Sequence, residues 1–171
     1  MKTEDEILTK SHRLLFYDSL EDYDSTITNL KKHLKIDKKN SHIHNNLALA
    51  YFEIGQFQEA LRHFNLAIEI NDQNYMAYLN RGLLNKEWKK FQEAEQDLSK
   101  AIDLNPKDAT FWRCRAYLRK ENEDFENALS DFNQAVRLDP KFRRTKEEVC
   151  ELENKLGMRK PGLINRIFGR E

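Results

Sequence analysis

His42 and His44 stand two residues apart, about 200° around a helix, so regular helical geometry does not let them chelate one metal ion. Cys114 and Cys150 lie far apart among helical patterns, in no metal-ligand spacing. Acidic pairs such as Glu121 and Glu123 are plentiful, but on helix faces they read as solvating charge. The chain holds no glycine-rich phosphate loop, no zincin motif and no nucleophile elbow. The expectation is therefore no catalytic residue, no metal and no cofactor. Recognition chemistry is left to side-chain amides. Asn46 and Asn80 recur 34 residues apart, and each offers a paired acceptor and donor to an extended peptide backbone.

That interval runs through the whole segment from Ser41 to Phe142. Gly55-Gln56-Phe57-Gln58-Glu59-Ala60, Lys89-Lys90-Phe91-Gln92-Glu93-Ala94 and Glu123-Asp124-Phe125-Glu126-Asn127-Ala128 occupy the same slots, as do the endings Leu66–Ile70, Lys100–Pro106 and Gln134–Pro140. A repeat of this length is a helix-pair unit that cannot bury its own apolar face and must stack on copies of itself.

Each unit carries two apolar stripes at helical spacing. In the unit from Ser41 the first is His44, Leu47, Ala48 and Tyr51, and the second is Phe57, Ala60, Leu61, Phe64, Ala67 and Ile68. Gly55 separates them with a permissive backbone, and in the later units Pro106 and Pro140 stop the second helix. Ala48, Gly82 and Ala116 share one slot of the first helix; Ala60, Ala94 and Ala128 share one of the second. Residues this small let two helices approach closely. Phe57, Phe91 and Phe125 recur at the start of each second helix and are expected to wedge between neighbours.

On these residues the chain resembles the tetratricopeptide repeat, whose pattern reads W-x2-L-G-x2-Y, A-x3-F, A, P. Trp112, Gly82, Leu47 and Tyr51 match the first block in different repeats; Ala60/Phe64 and Ala128/Phe132 match the second, with Ala94/Leu98 a near match. Ala67, Ala101 and Ala135, then Pro106 and Pro140, complete it. Arg81 and Arg115 replace the leucine and Asp72 the first proline; the arginine stems are expected to cover apolar surface while their heads reach water. His44 takes the tryptophan packing slot. The resemblance implies an all-α, right-handed α-solenoid of helix-turn-helix repeats with a C-terminal capping helix. The register assigns residues 1–40 to a degenerate N-terminal helix pair, starting at Ile7, then 41–74, 75–108 and 109–142 to repeats. Residues 143–156 are the capping helix, with Val149, Cys150, Leu152 and Leu156 inward.

The resemblance further implies a non-catalytic adaptor or scaffold that binds a partner protein or peptide in a concave groove lined by first helices. The slots read as groove-facing are Asn45, Leu79 and Arg113 (with Ser11 in the degenerate copy); Asn46 and Asn80 (with His12 and Cys114); and Leu49, Leu83 and Tyr117 (with Leu15). In the family the asparagine slot serves a ligand or bonds the neighbouring helix. The carboxylate clamp of chaperone-binding relatives is disfavoured, because Leu49 lies where an asparagine belongs and Cys114 where an arginine belongs.

Of 171 residues, 39% are hydrophobic and 34% charged, with 29 basic residues balancing 29 acidic ones. The zero net charge argues against nucleic-acid partners. No stretch approaches the roughly 18 apolar residues of a membrane span, the polar N-terminus leads into no apolar leader, and two unmotivated thiols suit a reducing compartment. A cytoplasmic protein is expected. The tail, residues 157–171, stands outside the repeat plan: Leu163, Ile164, Ile167 and Phe168 fall on one face of a short helix. It is expected to dock on the terminal helix or to occupy a groove. The second reading of the chain is accordingly a self-associating or autoregulated array, a homo-oligomer joined through the tail or a terminal repeat.

Overall fold

The computed structural model describes residues 23–158, and these form eight α-helices and no strand. In chain order they are α1 (Tyr23–Ile36), α2 (Ser41–Glu53), α3 (Phe57–Ile70), α4 (Tyr75–Glu87), α5 (Phe91–Leu104), α6 (Ala109–Glu121), α7 (Phe125–Leu138) and α8 (Arg143–Lys155). The first half of the degenerate repeat, with Ser11, His12 and Leu15, and the tail residues Leu163, Ile164, Ile167 and Phe168 lie outside the described residues. Two compact units are present, the first ending at Asn80 and the second beginning at Arg81.

The chain punctuates its helices with identifiable signals. Gly55 takes φ +78° after α2; the equivalent Lys89 and Glu123 adopt φ 56° and 61° with side chains attached. Asn40 caps α2 by accepting from the Ile43 amide, and Asp108 caps α6 by accepting from the Thr110 amide. Where the first repeat lacks its proline, Asn71 closes the turn after α3: its side chain accepts from the Gln73 amide at 3.0 Å and its carbonyl from the Asn74 amide at 3.1 Å.

In the first unit α1 packs on α2 and α2 on α3, and Leu47, Ala48, Ala60, Phe64 and Ala67 are buried. Ser41 and Asn74, 33 residues apart, are tied together below the surface: Asn74 Nδ2 donates to Ser41 Oγ at 2.6 Å, and Ser41 Oγ donates to the Ala67 carbonyl at 2.9 Å. In the second unit a core of Ala116, Ala128, Leu129, Phe132 and Leu152 draws in Tyr117, Phe125, Val149 and Leu156, so α8 closes this core as a capping helix should. A Cβ on Gly82 would lie 3.2 Å from the Ala94 carbonyl and 3.1 Å from Leu98 Cγ. The helix pair α4–α5 therefore touches backbone to backbone at this slot.

Two expectations are corrected. Phe57 is 39% exposed and does not wedge between helices; it meets Phe52 edge-on at 5.2 Å and covers the end of α2. The heads of Arg81 and Arg115 do not reach for water. Arg81 Nε and Nη2 donate to Asp97 at 2.8 and 2.6 Å, and Arg115 Nε and Nη2 to Asp131 at 2.8 and 2.9 Å. Both aspartates are buried, and a buried carboxylate holds a guanidinium more strongly than water does in a bidentate pair.

Candidate partner-binding surface

In the first unit the predicted amides form a directional chain. Asn80 Nδ2 donates to Asn45 Oδ1 at 3.0 Å, and Asn45 Nδ2 donates to Asn46 Oδ1 at 3.3 Å. Asn45 and Asn80 are buried, while Asn46 is half-buried. Hydrogen bonding between neighbouring first helices thus uses Asn80 as its donor, and among the described residues the chain ends at Asn46, whose NH2 group is the remaining donor. Leu49 beside it is largely buried. Leu79 has no exposed surface, which corrects the expectation that its slot lies outside the packing stripe.

In the second unit Leu83 is half-buried on α4. Arg113 is buried, its guanidinium 4.1 Å from the centre of the Phe142 ring, a contact that fixes the turn before α8. Tyr117 stands edge-on to Phe132 at 4.9 Å and is half-buried. Burial pushes the Cys114 thiol up to about 11, against the opposing pull of Arg113 and Lys86.

Several partners were not visible in the sequence. Lys86 pairs with Glu121 at 2.8 Å, and Lys120 with the buried Glu148 at 2.5 Å and with Glu151 at 3.4 Å. Burial alone would lower the Lys120 ammonium; the bond and charge of Glu148 outweigh it and raise the value, and Arg115 is likewise raised by Asp131 against its burial. Arg119 bridges Asp131 and Glu95 at 2.8 and 2.6 Å. In the first unit His44 and His63, on α2 and α3, meet nitrogen to nitrogen at 2.9 Å. The one available signal was arithmetic: Arg81/Asp97 and Arg115/Asp131 repeat the same 16-residue offset. Among the described residues no group of three or more histidine, cysteine or acidic side chains is placed to hold a metal ion, and no helix is long and apolar enough to cross a membrane.

Two models of the tetratricopeptide repeat match the sequence, one over residues 42–74 and 75–108 and the other over 115–142. Together these cover more than half of the chain, which therefore belongs to the tetratricopeptide-repeat family, a class of protein–protein interaction module. A crystal structure of MamA superposes with a TM-score of 0.73 at 23% identity, over 93% of this chain and 87% of that one. The first TPR of Spaghetti (RPAP3), solved with the HSP90 peptide SRMEEVD, gives 0.65 at 22% identity over 69% and 94%. The Arabidopsis OM64 TPR domain gives 0.62 at 28% identity over 67% and 94%. No curated protein matches the chain in sequence.

Proposed function

We propose that the protein is a non-catalytic cytoplasmic adaptor that holds an extended segment of a partner protein along the first helices of its repeats. The Asn80–Asn45–Asn46 chain carries this reading. Asn45 and Asn80 are committed to one another, so they orient Asn46 to donate to a carbonyl of the bound segment. Leu49 and Leu79 hold this helix face in place beneath it. On the second unit Leu83 and Tyr117 supply apolar contact beside Arg113. A similar fold, the RPAP3 domain, was solved with a bound peptide. The partner here is not expected to present a chaperone C-terminal carboxylate, because Leu49 and Cys114 stand where the clamp needs an amide and a guanidinium.

The test is an affinity pull-down from native cytosol with the full chain, repeated with Asn46→Ala and Leu83→Glu. Both variants should melt within a few degrees of the parent and recover markedly less of the partner. Undiminished recovery by both, with melting unchanged, would move the contact surface off the first helices.

A further inference from the structure

We propose that the His44–His63 contact is a proton-sensitive latch, in which a proton taken up at His63 Nε2 displaces the Arg62 contact, puts a charge into the buried pair and loosens α2 from α3, while the arginine–aspartate pairs of the two later repeats stay closed. This goes beyond the adaptor reading and stands whether or not Asn46 touches a partner.

The hydrogen bonds around the pair admit one arrangement. Arg62 Nη2 lies 3.0 Å from His63 Nε2, and a guanidinium can only donate, so His63 Nε2 accepts. Neutral His63 then carries its proton on Nδ1 and donates it across 2.9 Å to His44 Nδ1. His44 in turn carries its proton on Nε2, which donates to the Lys38 carbonyl at 3.3 Å. Every ring nitrogen is used, and both rings are neutral. A second proton on either ring has no acceptor: on His63 it would oppose the Arg62 N–H, and on His44 it would oppose the His63 N–H. In this arrangement the facing nitrogens share a proton, so their two lone pairs do not converge.

The charged surroundings also oppose protonation. Lys31 of α1 stands 5.4 Å from the centre of the Tyr51 ring, and Tyr51 of α2 stacks on His63 at 5.6 Å. On α3, Arg62 adjoins the ring and Glu59 is tied to Arg62 Nε at 3.0 Å. Among the described residues, Arg62 and Lys31 therefore face the pair against Glu59, a carboxylate already engaged. Burial first, then Arg62, His44 and Lys31, with Glu59 opposing, lower His63 from 6.5 to about 4. A lowered value means the unfolded hairpin takes up the proton first, so stability is full above pH 6.5 and is lost as pH falls toward about 4.

The later repeats lack this liability. His63 occupies the slot of Asp97 and Asp131, and Leu47 that of Arg81 and Arg115. A guanidinium–carboxylate pair has no imidazole to titrate.

Nitrogen-resolved NMR of the imidazoles in the full chain should show His63 neutral with its proton on Nδ1 at pH 7. Amide exchange, corrected for intrinsic rates, should show protection of α2 and α3 falling up to about tenfold per pH unit below 6.5, with α6 and α7 unaffected. Leu47→Arg with His63→Asp should flatten that dependence, and His63→Gln should flatten it too if the double variant does not fold. Titration of His63 near 6.5, its proton on Nε2, or a parallel loss of protection in α6 and α7 would overturn the proposal.

Discussion

Arg115 grips both oxygens of Asp131, Nε to Oδ2 at 2.8 Å and Nη2 to Oδ1 at 2.9 Å, and Arg119 adds a third bond to the same carboxylate at 2.8 Å. Asp131 is almost wholly enclosed. Removing it as Asp131→Ala takes the buried carboxylate from two guanidinium groups, leaving Arg119 with Glu95 and Arg115 with Ser99, and breaking a buried pair from one side costs ~3–5 kcal/mol. Removing Asp131 together with its bidentate partner, as Arg115→Leu with Asp131→Leu, should cost less, because Arg115 is no longer stranded and Arg119 keeps its pair with Glu95. Urea unfolding of the three proteins checks the order; equal losses for single and double variants would mean the pair is solvated.

Ala94 lies in the backbone-to-backbone contact opposite Gly82, and Glu93 beside it is exposed. Ala94→Leu overpacks that contact at ~1–3 kcal/mol, whereas Glu93→Leu should shift stability by no more than about 0.5 kcal/mol. Equal urea midpoints would contradict this helix phase.

The turn after each first helix sets up a reciprocal pair of substitutions. Lys89 and Glu123 hold left-handed backbone at φ 56° and 61°, where a side chain costs roughly 1–2 kcal/mol. Lys89→Gly should therefore stabilise the protein by up to about 1 kcal/mol, part of the relief being lost to the freer unfolded chain. Gly55→Ala should do the reverse, and since nothing lies within 4 Å of its added carbon, the loss is backbone strain alone. Thermal melts of both variants would show opposite shifts.

Cys114, held near 11 by burial, has about one thiolate in a thousand at pH 8. Its reaction with an aromatic disulfide reagent should be slow in the folded protein and fast in denaturant. Rapid labelling of Cys114 under native conditions, identified by peptide mapping, would show that the thiol is open.

The architecture was legible because it rests on side-chain volume. Ala60, Ala94 and Ala128 are all fully buried, as only helices in close approach require, and Pro106 and Pro140 stop their helices within two residues of the expected ends. The wiring was not. Arg81 and Arg115 read as amphipathic stems because periodicity assigns a face and says nothing about which charge waits across it. Their aspartates sit on the next helix, 16 residues on. The same limit hid the Asn80–Asn45 bond, which joins neighbouring first helices across 35 residues. Phe57 shows the opposite failure: an aromatic at a recurring slot invites a core assignment, but the helix end left it at the surface. Helical phase near a terminus is set by the turn, whose geometry the apolar count does not record.

The short span of the ion pairs also governs how quickly the chain finds its structure. A link closed over 16 residues loses little loop entropy, since that cost grows only with the logarithm of loop length. An all-helical chain whose pairings are this local belongs with the fast folders, at roughly microseconds to milliseconds. Synthesis adds residues at about 5–20 per second, far slower than that. Each arginine therefore meets its aspartate soon after the second helix clears the ribosome, and the order of translation becomes the order of assembly.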